Sequence, residues 1–135
     1  MEAIDLKLFE AAKKVRENAH APYSNFFVGA AILADDGNIY AGCNVENAAY
    51  PQGNCAEASA ISAMLAGGAR RIKRILTTGN GDVPVTPCGG CRQRIREFAD
   101  LDVAITCLGM EGGEILNTTL EELLPHSFGP EFLDS

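Results

Sequence analysis

CAEASAISAMLAGGARRIKRILT, residues 55–77, and TPCGGCRQRIREFADLDVAITCL, residues 86–108, each read as a helix that hands over to a strand. Cys55 to Leu65 has helical spacing and composition, and Gly67-Gly68 supplies the stop. Ile72 to Thr77 is dense enough in β-branched and apolar residues for a strand. Thr86-Pro87 opens a second helix, from about Cys88 to Phe98, with Ile95 and Phe98 on its inner face. Val103 to Leu108 is the strand after it. Working upstream, Phe27 to Leu33 reads as a buried strand, Asp36-Gly37 as a turn and Ile39 to Val45 as the returning strand of a hairpin. Ile4, Leu8, Ala11, Ala12, Val15 and Ala19 form one face of an N-terminal helix that should end before Pro22. Downstream, Gly112-Gly113 breaks the chain, and Thr119 is a plausible N-cap for a short helix through Leu124. A hairpin followed by alternating helix and strand predicts an α/β sandwich with a mixed sheet.

The 135 residues fit one domain, 1–135, with 47% hydrophobic residues to fill a core. The formal net charge of −7 argues against long nucleic acid, which needs a basic stripe to release counterions. The densest basic cluster, Arg70, Arg71, Lys73 and Arg74, suits a solvated helix-to-strand junction. Residues 1–6 lack the basic start and apolar run of a secretory signal, and no segment has the length and apolarity to span a membrane. A cytoplasmic protein is expected. In a reducing compartment five cysteines point to metal binding or catalysis rather than to disulfides.

Cys88 and Cys91 have the C-x-x-C spacing that lets two thiolates at a helix start grip one tetrahedral ion, and Cys55 begins the other helix. If the two helix starts meet, three sulfurs close on one zinc and leave a corner for water. A catalytic zinc takes three protein ligands and a water; a structural one takes four. Glu57, two residues after Cys55, is placed to stand beside that water as a proton shuttle. The order Cys-x-Glu, then Pro-Cys-x-x-Cys, matches the signature of zinc nucleobase deaminases with Cys in place of His. The competing reading is a structural zinc knuckle with Cys43 or Cys107 as fourth ligand, although both lie in strand-like runs where a free Cys is usually a small buried hydrophobe. His20 and His126 sit at no ligand spacing.

Beyond these two motifs, Tyr23-Ser24-Asn25-Phe26-Phe27-Val28-Gly29-Ala30-Ala31, Gly42-Cys43-Asn44-Val45-Glu46-Asn47-Ala48 and Leu123-Leu124-Pro125 leading to Phe128-Gly129-Pro130 stand in order along the chain. With them, the sequence resembles the small, homotetrameric cytidine deaminases along almost its whole length. The resemblance implies a three-layer α/β/α sandwich with a mixed five-stranded sheet, and one Zn²⁺ per subunit on Cys55, Cys88 and Cys91. It implies hydrolytic deamination of cytidine and deoxycytidine to uridine and deoxyuridine with release of ammonia, a pyrimidine-salvage reaction. Glu57 is then the proton shuttle, and Asn44 and Glu46 hydrogen-bond the ribose 3′-hydroxyl. Two polar residues two apart on a strand end do point the same way; the competing reading is a pair of ordinary loop-capping residues. Phe26 is implied as an aromatic wall, the Ala56 N–H as partner of the base carbonyl, and the Thr86 carbonyl as acceptor from the amino group. Phe128 and the segment around Ala48 and Tyr50 are implied to reach a neighbouring subunit's site, with a homotetramer as the expected assembly.

Two positions depart from the family pattern. Relatives with three cysteines often carry Arg directly after the catalytic Glu, offsetting thiolate charge; here the residue is Ala58. Either Arg92 supplies the positive charge or the helix dipoles suffice. Phe27 stands where Pro is usual. The rival substrates are other cytosine nucleosides such as blasticidin S, and the rival class is a zinc-stabilised binding module that releases no ammonia.

Overall fold

The computed structural model describes residues 1–110 and 113–134. Its elements run α1 (Ala3–Arg16), β1 (Gly29–Ala34), β2 (Ile39–Cys43), α2 (Ala56–Ala66), β3 (Ile72–Thr78), α3 (Gly89–Phe98), β4 (Ala104–Leu108), β5 (Ile115–Thr119) and α4 (Leu120–Leu123). Short 3₁₀ turns lie at Tyr50–Gln52 and Pro130–Leu133.

The five strands form one sheet in the order β2-β1-β3-β4-β5. β1 pairs antiparallel with both β2 and β3, β3 pairs parallel with β4, and β5 returns antiparallel on β4. The sheet is therefore mixed. The β3–α3–β4 unit is its parallel crossover, in which the loop leaving the carboxyl end of β3 leads into the N-terminus of α3.

The two faces of the sheet are covered by different helices. Leu8, Phe9 and Ala12 of α1 bury against Ala31, Leu76 and Leu108. On the other face, Ala56, Ala60, Ile61 and Met64 of α2 and Ile95 of α3 pack on Ala30, Ile32, Ile75 and Ile105. This is the expected three-layer α/β/α sandwich. Gly42 shows how tightly the second face is built: a Cβ there would meet the Ala60 backbone nitrogen at 2.3 Å. Gly37, at φ +84°, turns the hairpin.

The sequence reading and the structure differ mainly at the ends of the elements. The N-terminal helix stops at Arg16, so Ala19 lies beyond it, while His20 instead bridges Val45. β1 begins at Gly29 rather than Phe27, because the Val28 N–H donates to the Asn44 side chain at 2.9 Å. β2 ends at Cys43 rather than Val45, because Val45 exchanges both backbone hydrogen bonds with Asn54 at 2.8 Å. β5 has no distinct signal in residue patterning, and its residues are partly or fully exposed along a sheet edge. Thr119 does cap α4, accepting the Glu122 N–H at 3.3 Å. Of the glycine pair expected to break the chain, Gly112 lies outside the described residues.

Candidate metal centre and active site

Cys55 and Cys88 occupy equivalent places: each is the N-cap of its helix, with extended backbone. Both helices therefore aim their unshared first-turn N–H groups and positive dipole ends at the same region. Cys91 follows one turn into α3 and is fully buried. The three Sγ atoms all lie within 4.8 Å of one another.

Zinc–sulfur bonds of about 2.3 Å in a tetrahedron need sulfurs roughly 3.8 Å apart, so the triad fits a single zinc with small side-chain adjustment. Its chemistry also calls for a cation. Burial raises the thiol pKa of Cys55 and of Cys91, whereas the Cys91 N–H, donated to Cys88, lowers that of Cys88. A metal ion held by these three sulfurs would supply the positive charge that favours all three thiolates. Among the described residues, neither Cys43 nor Cys107 joins this group, and no His or carboxylate completes it. A closed four-ligand knuckle is thus not what these residues build. All five cysteines are free of disulfides.

Glu57, on the first turn of α2, is only 4% exposed. Burial pushes its carboxyl above the ordinary range, opposed in part by its own backbone N–H and by the positive charge of Arg94. It lines a pocket of about 210 Å³ together with Phe26, Val28, Asn44, Cys55, Ala56, Val85, Thr86 and Cys88. The Ala56 N–H belongs to the first helical turn and so has no acceptor within the helix.

Another part of the pocket lining is held by an amide. Asn44 accepts from the Val28 N–H at 2.9 Å and donates to the Phe26 carbonyl at 2.8 Å. Asn25, in left-handed backbone at φ 57°, presents Phe26, and Asn80 fixes the Asn25 carbonyl at 2.9 Å. Glu46 does not line the pocket of Glu57. It lines an adjoining hollow of about 360 Å³ with Tyr23, Ser24, Asn47, Tyr50 and Gly53. Its Oε1 accepts from the N–H groups of Tyr23 at 2.9 Å and Ser24 at 3.2 Å, and its Oε2 accepts the Ser24 hydroxyl. That hydroxyl chiefly holds the carboxyl below its ordinary pKa.

Both residues thus cap the 23–28 loop, and neither is exhausted by doing so. An amide offers two donors and two acceptor lone pairs, and a carboxylate about four acceptor sites. Ala48, Tyr50 and Phe128 stand outside the pocket of their own chain. Tyr50 and Phe128 are exposed, at 77% and 55%.

Arg92 does not reach the sulfurs. Its Nε donates to the Pro87 carbonyl at 2.7 Å and its guanidinium donates to the Leu123 carbonyl at 2.8 Å, tying the Thr86-Pro87 segment to the end of α4. The sequence reading missed Arg94, whose guanidinium lies 3.6 Å from the Cys91 Sγ. The signal was present in the spacing, since residues three apart on a helix are neighbours. His20 is engaged through its backbone, accepting from Glu46 at 2.7 Å and donating to Asn44 at 3.0 Å.

The family described as "Cytidine and deoxycytidylate deaminase zinc-binding region" matches residues 2–107. A cytidine deaminase of Sporosarcina psychrophila is 45% identical over 94% of this chain and 93% of its own length. One from Halalkalibacterium halodurans is 41% identical over 92% and 93%. The crystal structure of a Burkholderia pseudomallei cytidine deaminase superposes with a TM-score of 0.86 at 42% identity, covering 95% of this chain and all of that one. Sequence span, fold and the three-sulfur centre agree, and the chain belongs to the zinc-dependent cytidine deaminase family.

Proposed function

We propose that the chain, as one catalytic unit over residues 1–135, hydrolyses the amino group of cytidine and deoxycytidine, giving uridine and deoxyuridine and ammonia. The observation that carries this reading is the buried Glu57 carboxyl beside three converging sulfurs, in a pocket walled by Phe26 and Asn44.

Zinc on Cys55, Cys88 and Cys91 would polarise a water and make it nucleophilic near neutral pH. Glu57 would take a proton from the attacking water and pass it to N3 of the pyrimidine as C4 becomes tetrahedral. The same carboxyl would then take the proton of the new C4 hydroxyl, which becomes the carbonyl of uridine, and deliver it to the departing amine, so it begins and ends the cycle ionised. Phe26 stacks on the base, the Ala56 N–H donates to its 2-carbonyl, and the Thr86 carbonyl accepts from the 4-amino group. Arg92 supports this last contact by holding the Thr86-Pro87 segment.

Asn44 and Glu46 take the ribose 3′-hydroxyl with the hydrogen-bonding capacity their loop contacts leave over. Glu46→Ala should raise the KM for cytidine about tenfold, the value of one hydrogen bond to a charged group, with kcat within about threefold. An unchanged KM would remove Glu46 from the sugar site. A blasticidin S-type substrate has no such feature in its favour, and a purely structural zinc lacks its fourth ligand among the described residues.

The proposal extends to a homotetramer in which Ala48, Tyr50 and Phe128 border a neighbouring subunit's site. The exposure of Tyr50 and Phe128 supports it, as does the exposed stack of Phe128 on Phe132 at 5.2 Å. Gln93 donates to the Phe128 carbonyl at 2.9 Å, so this aromatic is held in place by α3. Sedimentation equilibrium should give four chains per particle; a monomer at micromolar concentration would overturn this assembly. The proposal places the enzyme in the cytoplasm, a reading its free thiols support; among the described residues no helix is long and apolar enough to cross a membrane.

The function is tested by following the ultraviolet loss of cytidine and the ammonia released, with zinc measured on the same sample. Stoichiometric zinc without ammonia from cytidine or deoxycytidine would reject the reading.

A further inference from the structure

Three thiolates on Zn²⁺ would leave the centre at net −1, which opposes the ionisation of water there and sets three anions against one another. Two helix N-termini offset part of this charge. A cationic side chain close to the sulfurs would offset more, because hydrogen bonds to anionic acceptors in a shielded site are about twice as strong as neutral ones.

The arginines around the centre are not equivalent. Arg92 is engaged by the Pro87 and Leu123 carbonyls and by the Thr86 hydroxyl at 3.5 Å. Arg96 is committed to Ser127 at 2.8 Å and to Glu131. Among the hydrogen bonds of the described residues, the one that a cation makes to a sulfur runs from Arg94 to Cys91, at 3.6 Å.

The surroundings make room for it. An added Cβ on Gly90 would come within 3.2 Å of the Arg94 guanidinium and 4.0 Å of the Cys88 Sγ, so the guanidinium passes over a bare backbone next to two sulfurs. Arg94 and Ala58 line the same hollow between α2 and α3, of about 450 Å³. The small side chain at 58 leaves that space open to a group reaching across from α3.

We infer that Arg94 is a positioning residue of the metal centre, supplying from α3 the positive charge that secures the three thiolates on their ion. The inference rests on the zinc site proposed above. Arg94 touches no substrate and acts through Cys91. It is exposed, so its replacement removes charge and one hydrogen bond without opening the core.

The test is zinc release to a chromogenic chelator from the purified, zinc-loaded protein and from R94Q and R94K, with melting of the metal-free forms alongside. Residues that support metal ligands typically contribute tenfold or more to metal affinity. R94Q should therefore release zinc about tenfold faster than the parent, R94K within about threefold of it, and all metal-free forms should melt together. R94Q releasing zinc within twofold of the parent rate would overturn the role, as would R94K behaving like R94Q, which would deny that charge is what acts. A parent that carries no stoichiometric zinc would instead sink the site reading, and this inference with it. The two failures are thus told apart by the parent alone.

Discussion

Glu57→Gln should retain its zinc and lose turnover by about 10³-fold, within the 10²–10⁴ that a positioned acid–base group contributes. The substitution keeps size and shape on the first turn of α2, where the carboxyl is 4% exposed. It removes the one property the proposed reaction needs, a group that carries one proton from water to N3 and a second from the C4 hydroxyl to the departing amine. Burial raises the Glu57 pKa, so the carboxyl is readily protonated at the moment it must act as acid. An amide cannot follow that cycle. The sulfurs keep the metal because none of them depends on the Glu57 side chain for a hydrogen bond. The measurement is kcat by the ultraviolet assay, with zinc content on the same preparation. A rate within tenfold of the parent, at equal zinc, would show that the proton passes elsewhere.

Helix starts were the most legible part of this chain. Cys55 and Cys88 were placed at the beginnings of α2 and α3 from glycine, proline and spacing signals, and the structure makes each of them the N-cap. The layers followed from the alternation of helix and strand. Strand ends were less legible, for a physical reason. Val28, Asn44 and Val45 look like strand continuation by composition, but Val28 bonds to the Asn44 side chain and Val45 pairs with the loop residue Asn54. Hydrophobic period cannot show where a ladder is given up for a side-chain amide. β5 escaped because an exposed edge strand carries little apolar alternation. The charge partner of the thiolates was sought one residue after Cys91, at Arg92, where side chains of neighbouring helical positions diverge. It lies three residues after, at Arg94, on the same face of α3.

Cys91→Ser should cost the protein its metal and much of its thermal resistance together. Cys91 is completely buried between the two helix starts, and burial holds its thiol strongly toward the protonated form when no cation is present. Zinc binding is what stabilises the thiolate, so the binding energy also holds α2 and α3 against each other. A serine hydroxyl is a far weaker ligand at nearly the same volume, which isolates metal loss from cavity formation. A ligand bound at 100 times its Kd stabilises the folded chain by about 2.7 kcal/mol, which for a domain of this size corresponds to a melting shift of roughly 10 °C. The variant should therefore purify without stoichiometric zinc, melt roughly 10 °C below the zinc-loaded parent and no longer respond to a chelator. Cys107→Ser is the matched control: Cys107 is equally buried but stands outside the sulfur triad, so its replacement should leave zinc in place. Should Cys91→Ser keep one zinc and the parent's melting temperature, the three sulfurs would not be the centre that ties the two helices together, and the proton chemistry assigned to Glu57 would lose the metal it serves.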